Sequence, residues 1–263
     1  MDDLALALSI ADEAGRLLLE GAGGHHAAST KGSAIDLVTE YDRRAEALIL
    51  DRLRAARPGD GLLAEEGGLL ASPSARRWIV DPIDGTTNFA HGHPVFCVSI
   101  ALEAAGSIVA GVVHAPALGL TFAARRGGGA TCNGAPIHVS DEGDLGRALL
   151  ATGFPYDRHT ARENNFDQFV ALQRRAQGVR RLGSAAIDLA LVARGVYDGY
   201  WEMKLKPWDV AAGALLVVEA GGVVTGWRGE AVCLERGAVV ASNGRLHAAL
   251  LETLATLPLP SVV

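Results

Sequence analysis

Residues 77–89 read Arg-Trp-Ile-Val-Asp-Pro-Ile-Asp-Gly-Thr-Thr-Asn-Phe. A short apolar run, Trp78 to Val80, passes directly into two aspartates three residues apart, Asp81 and Asp84, and then into Gly85-Thr86-Thr87. Such a run, closed by turn-forming residues, reads as the end of a buried strand. The Asp-Pro-Ile-Asp-Gly-Thr segment after it has two readings. Asp, Pro, Gly and Thr are common turn formers, and Asp84-Gly85 is a strong turn dipeptide. The same residues suit a metal site with a phosphate cradle, the carboxylates serving a hard cation and the glycine letting backbone approach an anion. Nine residues alone leave both open.

Outward from this stretch, further short apolar runs at 61–64, 95–102, 107–114 and 119–124 are bounded by Gly, Pro or charges and read as strands. The links 103–106 and 115–118 read as hairpin turns, and Asn133-Gly134 as another turn. Upstream, residues 3–20 set Leu4, Leu8, Ala11, Gly15 and Leu18 at helical spacing, and the glycines of 21–24 end that helix. Segment 25–37 is small and polar, a loop or loose hairpin, and 39–56 resumes a helical pattern with Thr39 as N-cap and Asp42 as its capping-box partner. The second half alternates: strands near 148–152, 179–182, 197–202, 222–226 and 238–241, and helices near 163–177, 184–194, 208–220 and 244–256.

The expected fold class is therefore layered α/β, an α-β-α-β-α sandwich. An antiparallel-rich N-terminal half with its helices (1–145) carries most candidate ligands. A mixed α/β half (146–263) completes the site, and the two form one compact unit. The boundary falls near 140–147, Ser-Asp-Glu-Gly-Asp-Leu-Gly-Arg.

The chain has 263 residues, 49% hydrophobic and 21% charged, which suits a globular protein and excludes a disordered one. Its net charge of −6 argues against nucleic-acid binding through a general basic surface. A small anionic substrate remains compatible with it, because bound cations reverse the local field. Cys97, Cys132 and Cys233 are scattered and odd in number, with neither disulfide nor metal spacing, which points to a reducing, cytoplasmic setting. The N-terminal segment lacks a basic region and carries Asp12, Glu13 and Arg16, so it reads as an amphipathic helix and not a signal peptide. No run approaches the roughly 18 apolar residues of a membrane span.

Carboxylates recur where strands end. Glu65 and Glu66 come directly after Leu62-Leu63-Ala64; if that strand neighbours Trp78–Val80, three or four acids meet at one end of a sheet. Acids so close repel, and a hard cation relieves them, an all-oxygen set suiting Mg²⁺. Glu65-Glu66 reads equally as a solvated pair before Gly67-Gly68. Asp209 falls in the first turn of a helix opened by Pro207-Trp208, where it suits the dipole, a cap, or a ligand role. Gly183-Ser184-Ala185-Ala186 opens another helix, with Ser184 as cap or as a point of close ligand approach. Asp188 reads as a helix-surface or structural acid. Lys31, in a Gly/Ser loop, reads as solvated.

Together the blocks LLAEEGG (62–68), WIVDPIDGTTNF (78–89), RRLGSAAIDLALVARG (180–195), YWEMKLKPWDVAAGALLVVEAGG (200–222) and KGSAIDLVTEYD (31–42) resemble the inositol monophosphatase family of Mg²⁺-dependent, lithium-sensitive phosphatases. They stand in the family's order and span nearly the whole chain, and the DPIDGTTNF and PWDVAAG pair is the specific part. Of the departures, Gly-Gly after Glu66 touches no ligand, and Ser184 stands where some members have a threonine.

The resemblance implies two or three Mg²⁺ per subunit. Glu65 and the Ile83 carbonyl would serve the first ion, Asp81 would bridge, and Asp84 and Asp209 would serve the second. Thr86, with Asp42 behind it, and Glu65 are implied as the catalytic residues that orient the attacking water. Gly85 and Thr86 would give backbone N–H groups to phosphate. Gly183, Ser184, Ala185 and Glu202 would line the alcohol, with Glu202 accepting its hydroxyls, and Lys31 would lie in a mobile loop over the site. The implied activity is hydrolysis of myo-inositol 1-phosphate and related polyol or sugar phosphates, by a cytoplasmic homodimer. Rival substrates are fructose 1,6-bisphosphate, histidinol phosphate and adenosine 3′,5′-bisphosphate; a rival of another class is a regulatory relative that binds protein or RNA machinery.

Overall fold

A computed structural model of the chain describes residues 1–24, 28–30 and 37–257. The N-terminal segment holds α1 (Asp3–Gly21), a short antiparallel pair β1 (Ala28–Thr30) and β2 (Leu37–Thr39), and α2 (Glu40–Ala56). The first large sheet comes next: β3 (Gly61–Ala64), β4 (Gly68–Leu70), β5 (Arg76–Asp84), the short helix α3 (Thr86–Ala90), then β6 (Cys97–Ala104), β7 (Ser107–Ala115), β8 (Leu120–Arg125), β9 (Ala130–Cys132) and β10 (Ala135–Ile137). The remainder runs β11 (Leu149–Thr152), α4 (Phe166–Gln173), β12 (Gly178–Arg180), α5 (Ala185–Ala193), β13 (Gly199–Glu202), α6 (Pro207–Glu219), β14 (Val223–Thr225), β15 (Val239–Ser242) and α7 (His247–Ala255).

Among the described residues the eight-stranded sheet has the order β10-β9-β8-β7-β6-β5-β3-β4, antiparallel except where β3 lies parallel to β5. The five-stranded sheet, β12-β11-β13-β15-β14, is mixed. Strand alternation builds the layers. In β5, Trp78 and Val80 face the core under α1 and α2, while Ile79 joins the core between the sheets. Cys97 and Ala101 of β6 share that central core with Tyr200, Val239 and Ala241 of the second sheet, and α5 and α6 fill it. Trp201 and Val240 face the other way, onto Leu172 of α4 and Leu250 and Leu254 of α7. The result is the expected α-β-α-β-α sandwich. Sheets covered on both faces give near-continuous apolar strands, which is why the Trp78–Val80 run carries no polar alternation.

The sequence expectations differ mainly at element ends. The strand placed at 95–102 begins at Cys97, and the helix placed at 163–177 shrinks to Phe166–Gln173. Its start is delayed because Asn165 is buried at φ 70°, bonding Thr152, Gly153 and the Trp201 indole instead of continuing a helix. The 103–106 and Asn133-Gly134 turns join antiparallel partners, with φ 49° and 75° at Ala105 and Gly106 and 50° and 78° at Asn133 and Gly134, the signature of tight hairpins. The hairpin at Asn133 carries two strands, β9 and β10, that the sequence reading omitted, as it did β4. All three cysteines are free thiols.

Candidate metal centre and active site

Parallel pairing of β3 with β5 sets Ala64 opposite Val80, so the next residue of each strand, Glu65 and Asp81, emerge side by side at one end of the sheet. Asp81 is 2% exposed, within hydrogen-bonding reach of the Glu65 carboxyl, and accepts from the Ile83 N–H at 3.0 Å. Beyond it β5 loses register with β6 between Asp81 and Asp84, which carries Asp84 round to the same space.

Asp84 is tied to the start of α5. Its Oδ2 accepts from the Ser184 hydroxyl and the Ala186 N–H, both at 2.7 Å, and Ser184 also caps α5 by accepting from Ile187 N–H. Asp209, at the third position of α6, closes a capping box by accepting the Lys206 N–H on Oδ2 at 2.7 Å. The Ser99 hydroxyl holds the Trp208 carbonyl at 3.0 Å and so docks this helix end on the first sheet. One ligand oxygen from each of Asp81, Asp84 and Asp209 thus falls within 4.8 Å of the others. The Ser184 and Ala186 bonds to Asp84 and the Lys206 bond to Asp209 fall on Oδ2 and fix the orientation of both carboxylates. Carboxylate oxygens with a backbone carbonyl beside them are a hard-cation donor set.

Electrostatics agree. Burial, then repulsion from Glu65, Asp84 and Asp209, pushes Asp81 well above the usual carboxylate range. Asp209 is pushed well up by burial first and then by Asp84. Asp84 rises through burial, against the hydrogen bonds of Ser184 and Ala186. Acids gathered at such cost are relieved by a cation.

Gly85 turns the chain from β5 into α3 at φ 99°. A Cβ there would stand 2.9 Å from the Val95 carbonyl oxygen, so only glycine fits. The next residue, Thr86, donates its hydroxyl to Asp42 Oδ1 at 2.8 Å, with the Ile83 carbonyl 3.0 Å away. Asp42 is fully buried, and its Oδ2 takes the Thr39 N–H and hydroxyl. The capping role and the Thr86 role therefore coexist, one on each carboxyl oxygen.

A cavity of about 250 Å³ opens over these groups, with Glu65, Asp81, Asp84, Thr86 and Asp209 at one end. Gly183, Ser184, Ala185 and Glu202 line the same cavity, with Ser184 in direct contact with Asp84. Glu202 is 9% exposed and accepts the Tyr200 hydroxyl; burial, opposed by that hydrogen bond, pushes its carboxyl up to about 7. Gly153 is packed so closely against Glu202 that a side chain there would overlap the carboxylate.

A sequence model of the inositol monophosphatase family matches residues 2–259. The chain belongs to the inositol monophosphatase family. It is accordingly an enzyme of the phosphatase class. A protein of Synechocystis sp. named inositol-1-monophosphatase is 48% identical over 229 residues, 87% of this chain and 80% of that one. A Pseudomonas aeruginosa protein named Nus factor SuhB is 42% identical over 257 residues, 95% of each. The solved inositol monophosphatase of Anabaena (Nostoc) sp. superposes with a TM-score of 0.89 at 41% identity, covering 99% of this chain and 98% of that one.

Of the positions that the family resemblance singled out, Glu65, Asp81, Ile83, Asp84, Gly85, Thr86, Gly183, Ser184, Ala185, Glu202 and Asp209 all border the one cavity, and Asp42 stands directly behind Thr86. Lys31 lies outside the described residues. Asp188, expected as a helix-surface or a structural acid, is 1% exposed and borders the cavity, which excludes the surface alternative. The available signal was its helix, Ala-Ala-Ile-Asp-Leu-Ala-Leu-Val-Ala, apolar on every side and therefore buried on every side. Arg181 and Gly153 also border the cavity and were given no role from sequence. Among the described residues no helix is long and apolar enough to cross a membrane.

Proposed function

We propose that the chain hydrolyses phosphomonoesters of polyols, myo-inositol 1-phosphate foremost, with two Mg²⁺ ions held by Glu65, Asp81, Asp84, Asp209 and the Ile83 carbonyl. The observation that carries this reading is the convergence of Asp81 and Asp84 of β5 with Asp209 of α6, within 4.8 Å of one another and beside the Thr86–Asp42 pair. Bound there, Mg²⁺ supplies charge neutralisation for the phosphoryl group and a lowered pKa for water. The protein does the rest by positioning. Thr86 gives its hydroxyl proton to the Asp42 hydrogen bond, so its oxygen lone pair accepts from, and aims, the attacking water. Glu65 fixes the same water from the β3 side. Gly85 and Thr86 offer N–H groups to the phosphate. The water oxygen bonds phosphorus as the ester P–O bond breaks; the water gives up one proton and the leaving alkoxide takes one up, so the products are the alcohol and inorganic phosphate. Glu202, which lines the same cavity, accepts hydroxyls of the alcohol. No covalent phosphoenzyme is required.

Phosphate release tests this reading. With Mg²⁺ the protein should turn over myo-inositol 1-phosphate faster than fructose 1,6-bisphosphate, histidinol phosphate or adenosine 3′,5′-bisphosphate, and Li⁺ should inhibit it. A strong preference for one of those three would overturn the substrate. A non-catalytic role finds support in the 42% identity to a protein named Nus factor SuhB. Cellular function retained by an Asp84→Asn variant would favour it.

A further inference from the structure

Among the described residues, Asp188 is the one acid lining the cavity that the proposed hydrolysis does not use. It sits one turn into α5, 1% exposed, and its Oδ1 is buried with no hydrogen-bond partner among the described residues. A buried carboxylate oxygen without a donor costs stability, and such an atom in a native fold calls for an explanation, a ligand group that completes it being one. The residue borders the same cavity as Glu202, and the strongest charge acting on it is Glu202. Its helix is held in place by Ser184 and Ala186 bonding Asp84, so the carboxyl stands at a fixed position relative to the phosphate end.

We propose that Asp188 is a specificity-determining residue of the alcohol subsite, which with Glu202 presents two acceptors to a pair of hydroxyls on the leaving alcohol. This rests on the polyol-phosphatase reading above. Two acceptors lining one cavity match an alcohol carrying several O–H donors, and offer nothing to an alcohol that carries none. A site whose buried acceptors are left unpaired discriminates strongly against the analogue lacking the donors.

The test compares kcat/KM on myo-inositol 1-phosphate and p-nitrophenyl phosphate for wild type, Asp188→Leu and Asp188→Asn, with thermal melting of each. The ratio of the two kcat/KM values should fall about tenfold or more in Asp188→Leu, chiefly through KM for the inositol ester, and recover in part in Asp188→Asn. Asp188→Leu should melt no lower than wild type, since it removes an unpartnered buried carboxyl. An unchanged ratio in variants that stay active overturns the inference alone, as does a ratio that falls only with a lowered melting temperature, the mark of a structural residue. A loss confined to an ammonium-bearing ester such as phosphoethanolamine also overturns it. Wild-type inactivity on both esters overturns the polyol reading and this inference together.

Discussion

Replacing Glu202 by glutamine isolates the electrostatic cost of the alcohol wall. The Glu202 carboxyl is 9% exposed, and burial, opposed by the Tyr200 hydroxyl, moves it from 4.5 to about 7. At low pH the side chain is neutral in both folded and unfolded chains, and stability is full. As pH rises, the unfolded chain loses this proton first, near 4.5, and the folded chain only near 7. Stability is therefore lost across that window, and wild type at pH 8 carries a penalty of about 3 kcal/mol, against about 1 kcal/mol at pH 5. Glutamine resembles the neutral carboxyl and keeps an oxygen for Tyr200. In chelator-treated protein, Glu202→Gln should gain on wild type by about 1 kcal/mol at pH 5 and about 3 kcal/mol at pH 8, the latter roughly 6–12 °C in melting temperature for a chain of this size. Urea denaturation at the two pH values measures the gap. A gap that does not grow with pH, or a variant less stable than wild type at pH 8, refutes the reasoning.

The same geometry sets three other outcomes. Ser184→Ala removes one of the two strong donors to Asp84 and should weaken Mg²⁺ binding by roughly 10–100-fold in calorimetry; unchanged affinity would mean Asp84 needs no such anchoring. Gly85→Ala forces a Cβ against the Val95 carbonyl at φ 99° and should cost about 1–3 kcal/mol in denaturation along with most activity, whereas near-native stability would contradict the tight turn. Protons and cations compete for Asp81, Asp84 and Asp209, all raised by burial, so Mg²⁺ should lift the melting temperature more at pH 8 than at pH 5. At 100 times its Kd the ion contributes about 2.7 kcal/mol. Equal lifts at both pH values would dissociate the cluster from the ion.

Much of the site was legible before the structure because the chemistry sits where strands stop. Trp78–Val80 and Leu62–Ala64 are recognisable as strands, and each runs straight into its acids, so parallel pairing alone unites Glu65 with Asp81. Asp209 is less accessible to such reasoning, since capping satisfies the same residue; the packing of α6 in the central core, with Ser99 holding its first turn, brings it to Asp84. Asp188 reads from sequence as either a surface or a structural acid because a lone acid in a helix is ordinarily solvated, and the burial of α5 on all sides is a property of the two sheets that enclose it. Helix α4 shortened for a comparable reason, the side chain of Asn165 being spent on Thr152, Gly153 and Trp201. Strands of three residues, β4, β9 and β10, carry too little pattern to be read alone.

The central claim is that Asp81, Asp84 and Asp209 form a cation centre that drives phosphate ester hydrolysis. Phosphate release from myo-inositol 1-phosphate by wild type and Asp84→Asn, each with Mg²⁺ and with chelator, tests it most directly. The expected result is turnover by wild type that chelator abolishes, and a loss of about 10²-fold or more in a folded Asp84→Asn protein. Activity that survives chelation, or an Asp84→Asn protein as active as wild type, would contradict the claim.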